Sequence, residues 1–162
     1  LHFARAVRQI DTPLTILTPS FSIATELSAN PQIMVMALPG VVEANEGLVF
    51  GGETLKCIAQ YHTSMAIMGA SGIDTQGVSE ALINVAHVYS AMISNARETV
   101  ILADSSKFGT RSLQQITDLN ANVSIFTDMK PEPQIVEVIE RNKAKLFICR
   151  DPDFLRQDTK NE

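Results

Sequence analysis

Four short segments carry the residue types from which a small-molecule site is built: Thr18-Pro19-Ser20, Leu38-Pro39-Gly40, residues 69–74 (GASGID) and residues 104–109 (DSSKFG). Each follows directly on an apolar run. Small residues in such turns let backbone N–H groups approach a ligand, and a helix starting there adds partial positive charge for an anion. Lys107 is a cation just past a buried run, placed to meet a phosphate or a carboxylate. Asp74 is the best-placed carboxylate for acid–base work; the plain alternative is a cap or turn acceptor. Each segment alone also reads as a tight turn between strand and helix, with Lys107 paired to Asp104 or solvated. Together the four point to a pocket.

Other chemistries lack their residues. There is no Gly-x-Ser-x-Gly elbow, and His2, His62 and His87 are scattered, each reading as a helix-surface or half-buried residue rather than a base. Cys57 and Cys149 sit alone in apolar stretches, without zinc spacing, and read as two buried reduced thiols. Neither GxGxxG nor GxxxxGK[ST] is present, so no nucleotide cofactor is expected. With no Trp and two Tyr there is little aromatic surface for stacking on single-stranded nucleic acid. Met34, Met36, Met65 and Met68 read as core filler, and Arg141, Lys143 and Lys145 as the basic end of a helix.

The elements that position the four segments follow from the apolar pattern. Residues 1–10 place Phe3, Ala6, Val7 and Ile10 on one helical face. Short, apolar, largely β-branched runs predict strands at 14–17, 33–38, 65–68, 99–103, 123–127 and 146–149. Helices are predicted from Ser20 or its neighbour through Leu27, and over 54–61, 79–96 and 133–141, with residues 41–52 as loop around the turn signal Asn45-Glu46-Gly47. Strands alternating with helices predict an α/β fold: a mostly parallel, Rossmann-like sheet with helices on both faces. Ligands of such sheets bind past the carboxyl ends of strands, at a topological switch point.

Composition bounds the function further. The chain has 162 residues, about one domain, with 45% hydrophobic and 19% charged residues, enough apolar material for a core. Thirteen basic against 18 acidic residues give a net charge of −5, a poor balance for gripping a phosphate backbone unaided. No apolar run approaches the roughly 18–20 residues that cross a bilayer, so no membrane partner is expected. The N-terminus shows no signal-peptide pattern and begins with Leu, which suggests part of a longer product. The tail, 150–162, is polar and charged and is expected to be frayed or partner-held.

At this point the residues resemble a known family. ILADSSKFG at 101–109 is similar to the "LADSSKFG" signature of DeoR-type bacterial transcriptional regulators. GASGIDTQG at 69–77 resembles the family's "GxxGIDxxxG" segment, Ala91-Met92-Ile93 its "KRAMI", and VSIFTD at 123–128 its "ITD" strand end. Thr18-Pro19-Ser20 stands for its "TNS"-like turn and Pro39-Gly40 for its Gly-Gly. The similarity runs from residue 1 to about 149. It implies an effector-sensing domain over 1–149, of the ribose-5-phosphate isomerase, glucosamine-6-phosphate deaminase and CoA-transferase fold type. The implied effector is a phosphorylated sugar or related metabolite. The implied partners are DNA, through an N-terminal winged helix-turn-helix absent from this chain, and further copies in a homodimer or homotetramer. The implied location is the cytoplasm, and no enzyme activity or cofactor is implied. The effector-binding residues so indicated are Thr18, Ser20, Gly40, Ser71, Gly72, Asp74, Gly77 and Lys107. Lys107 would neutralise charge, and Asp74 would accept sugar hydroxyls.

The departures from the family pattern are specific. The resemblance places Leu1 inside the family's first helix, so the "LDxGTT"-type phosphate loop that usually precedes that helix is not in view. The first acid of the isomerase "DGxD" pattern falls on Ser71, leaving Asp74 alone, and the regulators' usual Lys is Tyr89. The acid usual ahead of the third strand is replaced near Ser64. A proton-shuttling isomerase needs a base and a stabiliser on one substrate. The two other readings are therefore an oligomerisation module with a degenerate effector site and, with less support, a sugar-phosphate isomerase.

Overall fold

The computed structural model describes residues 1–43 and 47–149, within which the chain divides into two compact units, Leu1–Tyr61 and residues 62 onward. Asn45, Glu46 and the tail from 150 lie outside the described residues. In the first unit, α1 (His2–Val7) is followed by β1 (Leu14–Thr18), α2 (Phe21–Leu27) and β2 (Ile33–Ala37). β1 and β2 pair in parallel, with Leu14 opposite Ile33 and Thr18 opposite Ala37. Their apolar residues pack with Ala4, Val7 and Leu27 in a small core. Glu26 on α2 holds Arg8 at 2.7 Å and Arg5 at 3.6 Å. Then come β3 (Val41–Glu43), β4 (Leu48–Phe50) and α3 (Gly52–Ile58).

The second unit opens with β5 (Thr63–Met68), then β6 (Gly72–Asp74), β7 (Gly77–Glu80), α4 (Ile83–Ser94) and β8 (Ala96–Leu102). A single 3-10 turn, Ser105–Lys107, leads to β9 (Gln114–Thr117), β10 (Val123–Thr127), α5 (Pro133–Arg141) and β11 (Lys145–Ile148). Four strands make a parallel sheet in the order β11-β10-β8-β5. α4 packs against β5 and β8, and α5 against β11. The core is aliphatic: Ile73, Val78, Ile101 and Ile125 are fully buried and Ile135 and Ile139 nearly so. Each such side chain contributes roughly 1.5–3 kcal/mol relative to an exposed position. β6, β7 and β9 form a separate antiparallel sheet beside the βα connections. Among the described residues, no helix is long and apolar enough to cross a membrane.

The predicted α/β class and all six predicted strands are present, with ends shifted by one to three residues. Several expectations need correction. Residues 41–52 are not a loop, because β3 and β4 pair as an antiparallel hairpin. The helix predicted from 79 begins at Ile83, because Ser79 and Glu80 belong to β7, pairing with Gln115 and Gln114 of the distant β9. The six parallel strands do not form one sheet; β1 and β2 pair only with each other. Within the four-stranded sheet the strands follow chain order, so no reversal supplies a switch point there. Met34 is 64% exposed and Met65 is also exposed, leaving only Met68 of that set in the core. Cys57 is half-buried and Cys149 exposed, so neither is a core thiol.

Candidate functional site

In the first unit, the predicted positions are occupied by the fold's own hydrogen bonding. Thr18, 4% exposed, ends β1; its Oγ1 accepts from the Ser20 N–H at 3.1 Å and its carbonyl from the Leu38 N–H at 3.0 Å. Ser20 caps α2, its Oγ accepting from the Ile23 N–H at 3.4 Å. The Pro19 carbonyl accepts from the Val49 N–H at 2.8 Å, which ties the turn to β4. Gly40 sits at φ +150°, and a Cβ there would fall within 3.0 Å of both Thr54 Oγ1 and the Phe50 carbonyl. Thr54, fully buried, donates to the Pro39 carbonyl at 2.7 Å. This glycine answers to a neighbouring helix and strand.

The second unit places Gly72, Asp74 and Gly77 on the β6–β7 hairpin with Ser71 just ahead of it, and Lys107 directly precedes Phe108, which bridges to that hairpin. The segment after the 3-10 turn is fastened along the β6–β7 hairpin at three points. Phe108 bridges to Ile73, Gly109 N–H donates to the Ile73 carbonyl at 2.9 Å, and Ser112 N–H donates to Ser79 Oγ at 2.9 Å. Gly109 takes φ +74°, the left-handed conformation that lets the chain turn there. Gly72 and Gly77 exist for this packing. A Cβ on Gly72 would meet the Thr110 carbonyl within 3.0 Å, and one on Gly77, at φ +147°, the Thr117 carbonyl.

Asp74 has two partners. Its Oδ1 accepts from the Gln76 N–H at 2.8 Å, an Asx-type turn, and its Oδ2 from Arg111 Nε at 2.6 Å. Burial pushes its pKa up, but the Arg111 hydrogen bond, the Gln76 N–H and the Arg111 charge outweigh that and hold it below the usual carboxylate value. A carboxylate so held is a poor proton acceptor near neutral pH. Ser71 Oγ donates at 2.6 Å to Glu80, whose same oxygen accepts from the N–H groups of Ala81 at 2.7 Å and Leu82 at 3.3 Å. Glu80, 8% exposed, thus caps the approach to α4.

Lys107 closes the 3-10 turn and is half-buried. Among the described residues its ammonium makes no hydrogen bond or close ion pair, but its charge acts on Asp104 through space, so the expected pairing survives as a longer-range attraction. Asp104 caps the turn, accepting from the Ser106 N–H at 2.9 Å and from the Ser106 hydroxyl, which keeps its pKa low. Asp128, past the neighbouring strand β10, accepts from the Ser105 N–H at 2.6 Å and from its hydroxyl at 3.2 Å, and its pKa is lowered chiefly by that N–H. Among the described residues no group of three or more His, Cys, Asp or Glu is placed to hold a metal ion.

Sequence reasoning missed Glu80, Arg111 and the role of Asp128. Glu80 carried a readable signal, an acidic side chain just ahead of an apolar helix. Arg111 carried none, because its partner Asp74 lies 37 residues earlier. The arrangement places Arg111 on a segment fastened at Phe108, Gly109 and Ser112, and Lys107 in the turn just before it.

Residues 1–129 match the model of the DeoR C terminal sensor domain. The chain is 29% identical over 139 residues to the HTH-type transcriptional repressor GlcR of Bacillus subtilis, covering 86% of this chain and 54% of that protein. It is 30% identical over 138 residues to the HTH-type transcriptional regulator YulB of the same organism, covering 84% and 53%. It is 26% identical over 137 residues to the glycerol-3-phosphate regulon repressor of Escherichia coli, covering 84% and 54%. The chain spans about half the length of these relatives.

Proposed function

Since this chain belongs to the DeoR C-terminal sensor-domain family, we propose that it is the metabolite-sensing part of a transcription regulator, with a phosphorylated sugar or related small metabolite as its effector. The effector sits along the fastened segment of the second unit, beside Ser71, Gly72, Asp74 and Gly77. Lys107 neutralises its phosphate. The observation that carries this reading is Lys107, a half-buried residue closing the 3-10 turn whose ammonium makes no hydrogen bond among the described residues and feels Asp104 only through space. Its donors are therefore open to a ligand phosphate. The name of the Escherichia coli relative, a glycerol-3-phosphate regulon repressor, adds support for a phosphorylated effector. DNA is contacted by a part of the protein outside this chain, and effector binding biases two quaternary states of a homodimer or homotetramer. Coupling of this kind is typically ~1–3 kcal/mol. Thr18, Ser20 and Gly40 keep their structural tasks in this reading.

One observation favours a second reading, an oligomerisation module without a ligand. Every predicted position except Lys107 already has a task within the fold. A thermal-shift panel on the full-length regulator separates the two. At 100 times its dissociation constant an effector adds ~2.7 kcal/mol, a rise of about 5–10 °C in melting temperature. The sensor reading expects that rise from a sugar phosphate and none from the free sugar. No rise from any phosphorylated compound, with self-association intact, supports the module instead.

A further inference from the structure

We infer that Arg111 is the anion-recognising fork of the site and that Asp74 is its positioning residue. This deepens the sensor reading above and rests on it. Asp74 engages Arg111 through Nε, at 2.6 Å. The two terminal amino groups of the guanidinium have no protein partner among the described residues, and the side chain is 61% exposed. A guanidinium held by one edge presents the rest of its planar fork in a fixed direction, which suits two oxygens of a phosphate monoester. Both anchors of this geometry are themselves fixed. Asp74 is held in its turn by the Gln76 N–H, and the backbone on either side of Arg111 is held at Gly109 and Ser112. The conformational cost of orienting a long side chain is therefore met in part by the fold before any ligand arrives. Asp74 was expected to accept sugar hydroxyls. Here it acts on the ligand through Arg111. Selectivity follows: the site prefers a phosphate monoester that offers two oxygens to the fork, with Lys107 on the same segment, over a neutral sugar.

The test is isothermal titration of the full-length regulator with glycerol 3-phosphate, glucose 6-phosphate and the matching unphosphorylated compounds. It uses the wild type, Arg111→Ala, Arg111→Lys, Asp74→Asn and the double variant Arg111→Ala with Asp74→Asn. Arg111→Ala should weaken binding of the phosphorylated probe by roughly 10- to 100-fold, the range for a charge-assisted hydrogen-bonded pair. Arg111→Lys, which keeps the charge and loses the fork, should retain most of that loss. Asp74→Asn should weaken binding by a smaller factor and add nothing once Arg111 is Ala, because it acts through that residue. Binding by Arg111→Lys equal to wild type overturns the fork, as does multiplication of the Arg111 and Asp74 losses in the double variant. Wild-type binding that Arg111→Ala leaves unchanged overturns the fork alone. No binding of any phosphorylated probe by the wild type overturns the sensor reading and the fork with it.

Discussion

The turns of the two units share a vocabulary and use it differently. In the first unit, Thr18, Ser20 and Gly40 are small or hydroxylated residues after a strand, and each is accounted for by a cap, a turn or close packing. In the second, Gly72, Gly77 and Ser71 are accounted for in the same way, but Lys107 and the outer edge of Arg111 are left over. Small residues at strand ends thus say little about a ligand, since chain packing demands them anyway. Cationic groups whose donors are not all taken by the protein say much more, because open donors on a held cation are what an anionic ligand satisfies.

The largest effect that tests this contrast is steric. Gly77→Ala places a Cβ against the Thr117 carbonyl at a positive φ and should destabilise the fold by roughly 2–4 kcal/mol in urea unfolding. A neutral Gly77→Ala would remove packing as the reason for that glycine. Next in size, Lys107→Ala should leave stability within about 0.5 kcal/mol, as surface changes usually do. It should nonetheless weaken sugar-phosphate binding by roughly tenfold or more, the scale of one charge-assisted bond. Equal binding by this variant would merge the two regions into one structural class. Ser20→Ala should cost about 1 kcal/mol through the lost helix cap and leave effector affinity unchanged in the same titration. An affinity loss there would extend the site into the first unit.

The smallest effect is on pH dependence. The folded-state pKa of Asp74 lies below its ordinary value, so the native state favours the ionised form. The stability this contributes is fully present above the unfolded value near 3.9 and is lost as pH falls through the folded value. Unfolding measured between pH 6 and pH 2 should therefore show Asp74→Asn losing less stability on acidification than the wild type. Identical acid profiles would mean that the Arg111 contact is too exposed to matter.

What the sequence reveals of this fold follows a physical division. Every strand of the parallel pairs was legible, because runs such as residues 33–38 and 99–103 are apolar and β-branched whatever their partner. Every strand of the antiparallel pairs was missed. β6, β7 and β9 are three or four residues long and rich in Gly, Ser and Gln, and β9 meets its partner β7 only far along the chain. β3 and β4 flank a turn signal and were within reach of a hairpin reading, but Val41 and Val42 are exposed and give no burial pattern. The candidate site divides along the same line. Lys107 and Asp74 stood out as charges after strands and small-residue turns. Arg111 did not, because only the β6–β7 hairpin brings it to Asp74.

The central claim, that the effector lies along the fastened segment of the second unit, is tested most directly by amide hydrogen exchange of the full-length regulator with and without a saturating sugar phosphate. New protection should appear in residues 71–77 and 104–112. Protection that appears at residues 18–20 and 38–40, with 104–112 unchanged, would contradict it.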